Sequence, residues 1–243
     1  MAVAGVLAAE ARRGAVRLVP VLALVLALFA LPAATSGASS TAASGPHAVR
    51  ALFFGDSLMN GTGSRPVRPV MARVAAHALG WDVTVDAFGG TGYTTGGTRG
   101  RPYLDRLGRP GVLAPHYDVV LLEGGTNDRK ADVVTMHDRT AATVAYVRSR
   151  LPKAQIILMG AFNPIDQHSR RYDAHRIAID DVIRTVAREQ SLPFFSPISG
   201  QWTKGQGARF LCPDGLHPST YGYGVMGAKL AAALRTSLQE ADR

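Results

Sequence analysis

The chain has 243 residues, of which 47% are hydrophobic and 19% charged, with 26 glycines, 14 prolines and a formal net charge of +9. This composition disfavours a disordered or coiled-coil protein and favours a loop-rich globular α/β protein. The single cysteine, Cys212, excludes an internal disulfide and any cysteine-based zinc or iron–sulfur site. Lysine and arginine are spread along the chain and no known nucleic-acid module occurs, so the charge does not predict nucleic-acid binding.

The first 38 residues are predicted to be a secretory signal peptide. Arg12, Arg13 and Arg17 precede an uncharged apolar run at 18–34, and small residues follow it. The run contains two prolines and is shorter than the roughly 20 apolar residues of a spanning helix, which favours a signal over a membrane anchor. We therefore expect an exported protein, extracellular or associated with the cell envelope, with a short linker at 39–46 and one domain at 47–240.

Beyond the linker, short apolar runs alternate with longer stretches of helical periodicity. The runs predict five strands, at 49–54, 83–88, 118–122, 155–159 and 193–195. They are apolar on both faces, which is typical of buried parallel strands. The pattern predicts an α/β protein with a parallel sheet and helices on both faces.

Four stretches between or after these strands carry apolar residues at helical spacing, at about 67–74, 133–151, 179–186 and 226–238. The segment 96–115 departs from this alternation. It is rich in glycine and proline and carries Arg99, Arg101, Arg106 and Arg109. We interpret it as a basic surface insertion, whose arginines either favour anionic substrates or only solvate a loop.

Polar motifs stand at the predicted carboxyl ends of three strands, where open α/β sheets bind ligands. Gly55-Asp56-Ser57-Leu58 follows the first strand, the glycine-rich stretch 89–94 follows the second, and Gly125-Thr126-Asn127-Asp128 follows the third. Taken alone, each has a structural explanation: Ser57 could cap a helix, and Asn127 could serve a turn.

A fourth motif, Asp214-Gly215-Leu216-His217, lies just before the last helix. An aspartate three residues before a histidine can hydrogen-bond one ring nitrogen and leave the other free as a base. Together the four motifs supply what acyl transfer from an ester needs: a nucleophile, a base, a carboxylate that orients the base, and oxyanion donors.

In these four blocks the chain resembles the SGNH (GDSL-type) hydrolase family, and the resemblance covers nearly the whole chain from Ala48 onward. The resemblance implies a flavodoxin-like three-layer α/β/α sandwich with a five-stranded parallel sheet. It implies Ser57 as nucleophile, His217 as general base and then acid, and Asp214 as its orienter. The implied oxyanion donors are the Ser57 N–H, a glycine N–H and the Asn127 side-chain amide. Gly92 is the preferred glycine and Gly90 the alternative.

From these features we expect a secreted serine esterase that hydrolyses short acyl esters, with acetyl groups on polysaccharide as one candidate. No cofactor or metal site is expected, since dinucleotide, phosphate-loop and zinc motifs are absent from the sequence. The expected partner is a small-molecule or polysaccharide ester, with no nucleic acid and no stable membrane span, and we expect a monomer. Two alternatives stay open: acyl transfer to an alcohol at the same site, and a secreted carbohydrate-binding protein without catalysis.

Overall fold

The computed structural model describes residues 48–64, 70–164 and 173–241. Five strands form one sheet, all parallel, in the order β2-β1-β3-β4-β5. The strands are β1 (Arg50–Gly55), β2 (Asp82–Ala87), β3 (Val119–Glu123), β4 (Gln155–Met159) and β5 (Phe194–Phe195). The predicted fold class is confirmed. The predicted signal peptide and linker lie outside the described residues.

Among the described residues six α-helices connect or follow these strands: α1 (Ser57–Asn60), α2 (Val70–Leu79), α3 (Tyr103–Leu107), α4 (Val133–Arg150), α5 (His175–Glu189) and α6 (Thr220–Ala241). The four long helices correspond to the four predicted periodic stretches. The short helices α1 and α3 were not predicted, because four or five residues are too few to show a helical period. In the described part of the chain no helix is long and apolar enough to cross a membrane.

Two hydrophobic layers cover the two faces of the sheet, because successive strand residues point to opposite sides. Ala51 and Phe53 pack with helices α1, α2 and α6, whereas Leu52 and Phe54 pack with α3, α4 and α5. This produces the three-layer α/β/α sandwich. Each helix buries the apolar stripe that its sequence period creates and turns its polar face to solvent.

The strand order places a topological switch point between β1 and β3. The chain leaves β1 for β2 on one side and later returns to β3 on the other. Loops that follow these two strands diverge at the carboxyl edge of the sheet and leave a crevice there, which is where open α/β sheets bind their ligands. Ser57 follows β1 and Asn127 follows β3, so both lie beside this crevice.

Candidate active site

Ser57 is the first residue of α1, directly after the turn that ends β1. The preceding Asp56 caps this helix, since its Oδ1 accepts the backbone N–H of Leu58 at 2.8 Å. Helix α1 ends after one turn at Gly61, whose φ of 75° needs a residue without a side chain. As the first residue of a helix, Ser57 has a backbone N–H with no partner inside that helix.

His217 reaches Ser57 from the loop before α6. Its Nε2 lies 2.9 Å from Oγ of Ser57, and its Nδ1 lies 2.7 Å from Oδ2 of Asp214. The other carboxylate oxygen of Asp214 accepts the backbone N–H groups of Leu216 and His217 at 2.9 and 3.0 Å. The structure therefore brings together the three residues that the sequence predicts as catalytic.

The Asp214 carboxylate is held ionised. Partial burial alone would raise its pKa, but the hydrogen bonds from the His217 ring and from the two backbone N–H groups outweigh burial, so the pKa of Asp214 is lowered. An ionised carboxylate beside Nδ1 fixes the orientation of the imidazole and stabilises its protonated form. The arrangement can thus take a proton from the serine hydroxyl and return it later.

Asn127 holds three strand ends together. Its Nδ2 donates to Oδ2 of Asp56 at 2.8 Å and to the carbonyl oxygen of Thr91 at 3.0 Å. Asp56 follows β1 and Thr91 follows β2, while Asn127 itself follows β3. In this conformation both amide protons are used within the protein, so Asn127 can bind an oxyanion only by exchanging one of these acceptors.

The N–H of Gly92, the glycine that the family resemblance favours as an oxyanion donor, is used inside its own loop in this conformation. The Gly92 N–H donates to the carbonyl oxygen of Thr95 at 2.8 Å, so it is not directed to a ligand in this conformation. A side chain at Gly92 would overlap the carboxylate of Asp128, which also accepts the backbone N–H groups of Tyr93 and Thr94. Gly92 therefore serves the packing of this loop against Asp128.

Gly89 is the glycine that adjoins the serine. A Cβ atom on Gly89 would lie 3.7 Å from Cβ of Ser57, whereas one on Gly90 would contact only Gly97. Within the described residues the Gly89 N–H has no hydrogen-bond acceptor. The family resemblance favoured Gly92, with Gly90 as the alternative, and the position of Gly89 beside Ser57 becomes visible only in the folded loop.

Comparison with known proteins agrees with this geometry. Residues 53–225 match the GDSL-like Lipase/Acylhydrolase family, which is well over half of the chain. The chain belongs to this family. It is an SGNH hydrolase, and therefore an ester-hydrolysing enzyme, so the non-catalytic alternative is set aside. No curated protein matches the sequence.

Solved structures share the fold of this SGNH hydrolase. A family two carbohydrate esterase from Clostridium thermocellum, in complex with cellohexaose, is 19% identical with a TM-score of 0.63, covering 79% of this chain and 65% of that one. A lipase/acylhydrolase from Enterococcus faecalis is 21% identical with a TM-score of 0.61, covering 78% and 96%. A GDSL-like lipase from Parabacteroides merdae is 20% identical with a TM-score of 0.59, covering 76% and 94%.

Beneath the serine of this SGNH hydrolase lies a pair of buried carboxyl groups that sequence reasoning missed. Oε2 of Glu123 accepts the backbone N–H of Asp56 at 3.0 Å, and no described residue forms a hydrogen bond with Oε1 of Glu123. Both residues are fully buried. Burial raises the pKa of Asp56 to about 7 and raises the pKa of Glu123 well above its usual range. The available signal was a lone acid at the end of the apolar run 119–122.

Two arginines of the segment 96–115, Arg106 and Arg109, are not the free surface residues that the sequence analysis predicted. Arg106 lies on α3, is 2% exposed, and donates to the Gly55 carbonyl at 2.9 Å and to Oγ1 of Thr91 at 2.7 Å. Both Arg106 and Arg109 form ion pairs with Asp86. The Arg106 guanidinium also lies 4.2 Å from the centre of the Phe54 ring. These groups brace the ends of β1 and β2, and the buried Arg106 is not available to an anionic substrate.

The raised pKa of Asp56 predicts a pH dependence of stability. In the unfolded chain this carboxyl ionises near 3.8 and in the folded protein near 7, so between these values only the folded protein holds the proton. The stabilisation is complete below pH 3.8 and is lost as the pH rises through 7, by up to about 1.4 kcal/mol per pH unit.

We expect Asp56→Asn to lose less unfolding free energy than the parent protein between pH 5 and pH 8, measured by urea denaturation. The matched control is Asp105→Asn, at an exposed position of α3. Equal losses in Asp56→Asn and the parent protein would show that Asp56 ionises normally.

Proposed function

We propose that this SGNH hydrolase is a secreted serine esterase that cleaves short-chain acyl esters with Ser57 as nucleophile. The observation that carries the proposal is the continuous chain of contacts from Asp214 to His217 at 2.7 Å and from His217 to Ser57 at 2.9 Å. A hydroxyl, an imidazole and a carboxylate in this order are the parts of a nucleophilic acyl-transfer site.

In the proposed reaction, Nε2 of His217 takes the Ser57 proton as Oγ bonds to the ester carbonyl carbon. The protonated imidazole then gives this proton to the departing alcohol, and an acyl-serine remains. Water attacks the acyl-serine, giving one proton to His217, and the carboxylic acid departs as that proton returns to Oγ. Asp214 stabilises the imidazolium in both halves.

The negative oxygen of each tetrahedral intermediate would be bound by the backbone N–H groups of Ser57 and Gly89. Both belong to segments that are fixed by other contacts, so little reorganisation is needed when charge develops. The Asn127 amide becomes the third donor if it exchanges the Thr91 carbonyl for the substrate oxygen. This keeps the implied roles of Ser57 and Asn127 and replaces Gly92 by Gly89.

One feature of the structure favours short acyl chains, and one feature of the sequence supports export. In the described residues the segment 96–115 is fastened to the sheet by buried Tyr103, Arg106 and Leu107, so it does not form an apolar cover over Ser57. Export is supported by the amino-terminal sequence alone, where arginines precede an apolar run and small residues. Acetyl groups on polysaccharide remain one candidate substrate.

A panel of p-nitrophenyl esters, assayed beside acetylated xylan, tests this proposal. We expect the parent protein to hydrolyse acetyl through hexanoyl esters and to turn over dodecanoyl and longer esters at least tenfold more slowly, because long chains would leave apolar carbons in water. No hydrolysis of any ester would contradict the esterase proposal. Fastest hydrolysis of the longest chains would contradict the short-chain preference.

A further inference from the structure

The carboxyl pair of Asp56 and Glu123 lies beneath the nucleophile and takes no part in the proton transfers proposed above. Glu123 is the last residue of β3, and Asp56 precedes Ser57 in the turn after β1. A Cβ atom on Gly55 would overlap Oε2 of Glu123, so this acid fills the space directly under the turn that carries Ser57. A fully buried acid costs free energy, which its contacts have to offset.

Three of the four oxygens of this pair accept a hydrogen bond from an N–H group. Oε2 of Glu123 accepts the Asp56 N–H at 3.0 Å. Oδ1 of Asp56 accepts the Leu58 N–H at 2.8 Å, and its Oδ2 accepts Nδ2 of Asn127 at 2.8 Å. Within the described residues Oε1 of Glu123 accepts none. A proton on any of the first three oxygens would point at an N–H donor, so the geometry leaves Oε1 as the place for a proton.

The charged groups that face the pair, among the described residues, balance when Glu123 is neutral. The cations are Arg106, Arg109 and Arg176, and the anions besides the pair are Asp86 and Asp128. With Asp56 ionised, three carboxylates face three arginines, and an ionised Glu123 would be a fourth carboxylate. The facing tyrosines are neutral because burial raises their pKa values: Tyr93, Tyr103 and Tyr223. Burial and the negative charge of Asp56 likewise raise the pKa of Glu123 well above its usual range.

Glu123 reaches Asn127 through Asp56. Glu123 holds the backbone N–H of Asp56, and Oδ2 of Asp56 holds one amide proton of Asn127. The second amide proton goes to the Thr91 carbonyl at 3.0 Å, and it is the one that would turn to the oxyanion. An ionised Asp56 can only accept hydrogen bonds, so it fixes the orientation of this amide. A displaced Asp56 would therefore misplace the proton that the substrate oxygen has to meet.

We propose that Glu123 is a positioning residue of the active site: as a neutral acid protonated at Oε1, it holds Asp56 where the Asp56 carboxylate orients the Asn127 amide for the oxyanion. The proposal rests on the proposed esterase function and deepens it, because it adds a group that acts behind the oxyanion donors. A neutral acid suits this place, since it accepts the Asp56 N–H without adding a second buried negative charge beside Asp56.

Carbon-13 NMR of the carboxyl groups tests the place of the proton without an assay of activity. The chain contains four glutamates, Glu10, Glu123, Glu189 and Glu240, so protein labelled at the glutamate carboxyl carbon gives few resonances. Exposed glutamates are ionised at pH 7. We expect one resonance to keep the chemical shift of a neutral acid between pH 5 and pH 8, and to be missing from Glu123→Gln.

Hydrolysis of p-nitrophenyl acetate tests the positioning role. Glu123→Leu leaves the Asp56 N–H without its acceptor, so kcat should fall at least about tenfold while KM stays within about twofold, as for a weakened oxyanion contact. In the Asn127→Ala background the same substitution should lower kcat by less than about twofold further, because the amide that Glu123 positions is already gone. Glu123→Gln is neutral and its oxygen can accept the Asp56 N–H, so it should keep kcat within about twofold of the parent protein.

Glu189→Leu is the matched control, since Glu189 is an exposed glutamate on α5, and it should keep parental kcat. Ionised chemical shifts for all glutamates at pH 7 would overturn the neutral acid. Parental kcat in Glu123→Leu, or an equal loss with and without the Asn127 side chain, would overturn the positioning role.

If Glu123→Leu does not fold, Glu123→Gln decides the positioning role. Its kcat stays within about twofold of the parent protein if a neutral side chain is sufficient, and a loss of about tenfold or more overturns the proposal. If the parent protein hydrolyses no ester, the esterase proposal fails and the positioning role fails with it, whereas the NMR result still locates the proton.

Discussion

Replacing Ser57 with alanine is expected to abolish ester hydrolysis, with a loss of about a millionfold in kcat, as for a nucleophile that acts together with its base. The hydroxyl of Ser57 is 2.9 Å from His217 and is the atom that would bond to the acyl carbon. Without it, only binding and oxyanion contacts could still accelerate attack by water. The measurement is kcat for p-nitrophenyl acetate at substrate saturation.

The loss should arise without unfolding. Within the described residues the Ser57 hydroxyl makes its hydrogen bond with the His217 ring, and the neighbouring Gly89 approaches the Cβ atom that alanine retains. We therefore expect the thermal midpoint of Ser57→Ala to lie close to that of the parent protein. Ser149→Ala, on the exposed side of α4, is the matched control and should keep full activity. Parental activity in Ser57→Ala would falsify the assignment of the nucleophile.

The sheet could be predicted from sequence because parallel strands are buried on both faces. Runs of apolar residues mark such strands directly, and the predicted strand at 155–159 has the bounds of β4. The positions of Ser57 and Asn127 follow from the same information, since each motif adjoins a strand end. No local pattern joins His217 to Ser57, because 160 residues separate them, so their convergence was predicted from the joint occurrence of the four motifs and from the family resemblance.

The buried charged residues beneath Ser57, Arg106 and Glu123, could not be predicted in the same way. Arginine and glutamate are usually exposed, so composition favours a solvated insertion for Arg106 and says little about Glu123. Both are buried because each satisfies backbone groups at the end of β1: Arg106 donates to the Gly55 carbonyl, and Glu123 accepts the Asp56 N–H. Such pairings depend on contacts between residues about 50 to 70 positions apart, which no local pattern reveals.

The choice between Gly89 and Gly92 shows a second limit. All glycines in the stretch 89–92 permit close approach of the backbone, so the sequence identifies the stretch and not the residue. The assignment depends on which N–H is used inside the loop. The Gly92 N–H donates to the Thr95 carbonyl and is therefore not directed to an oxyanion in this conformation. Gly89 lies beside Ser57, which makes its N–H the proposed donor.

Replacing His217 with alanine should lower kcat almost as far as the Ser57 substitution, by about a millionfold, because the serine then has no group to accept its proton. Asp214→Asn should be milder by about a hundredfold, since the carboxylate only orients the base and stabilises its charge. The Asp214 side chain is 41% exposed, against 16% for His217, so water can reach this site and partly solvate the imidazolium when the carboxylate is lost. The measurement is kcat for p-nitrophenyl acetate across pH 5 to 9.

Asparagine is the informative substitution at Asp214, because its side-chain oxygen can still accept the backbone N–H groups of Leu216 and His217 that Oδ1 accepts in the parent protein. The turn should therefore persist, and the loss should report the missing charge beside Nδ1. His77→Ala, at an exposed position on α2, is the control for removal of an imidazole and should keep parental activity. A loss in Asp214→Asn equal to that in His217→Ala would mean that the carboxylate does more than orient the ring. Parental activity in His217→Ala would remove the base from the mechanism, because within the described residues no other imidazole contacts the Ser57 hydroxyl.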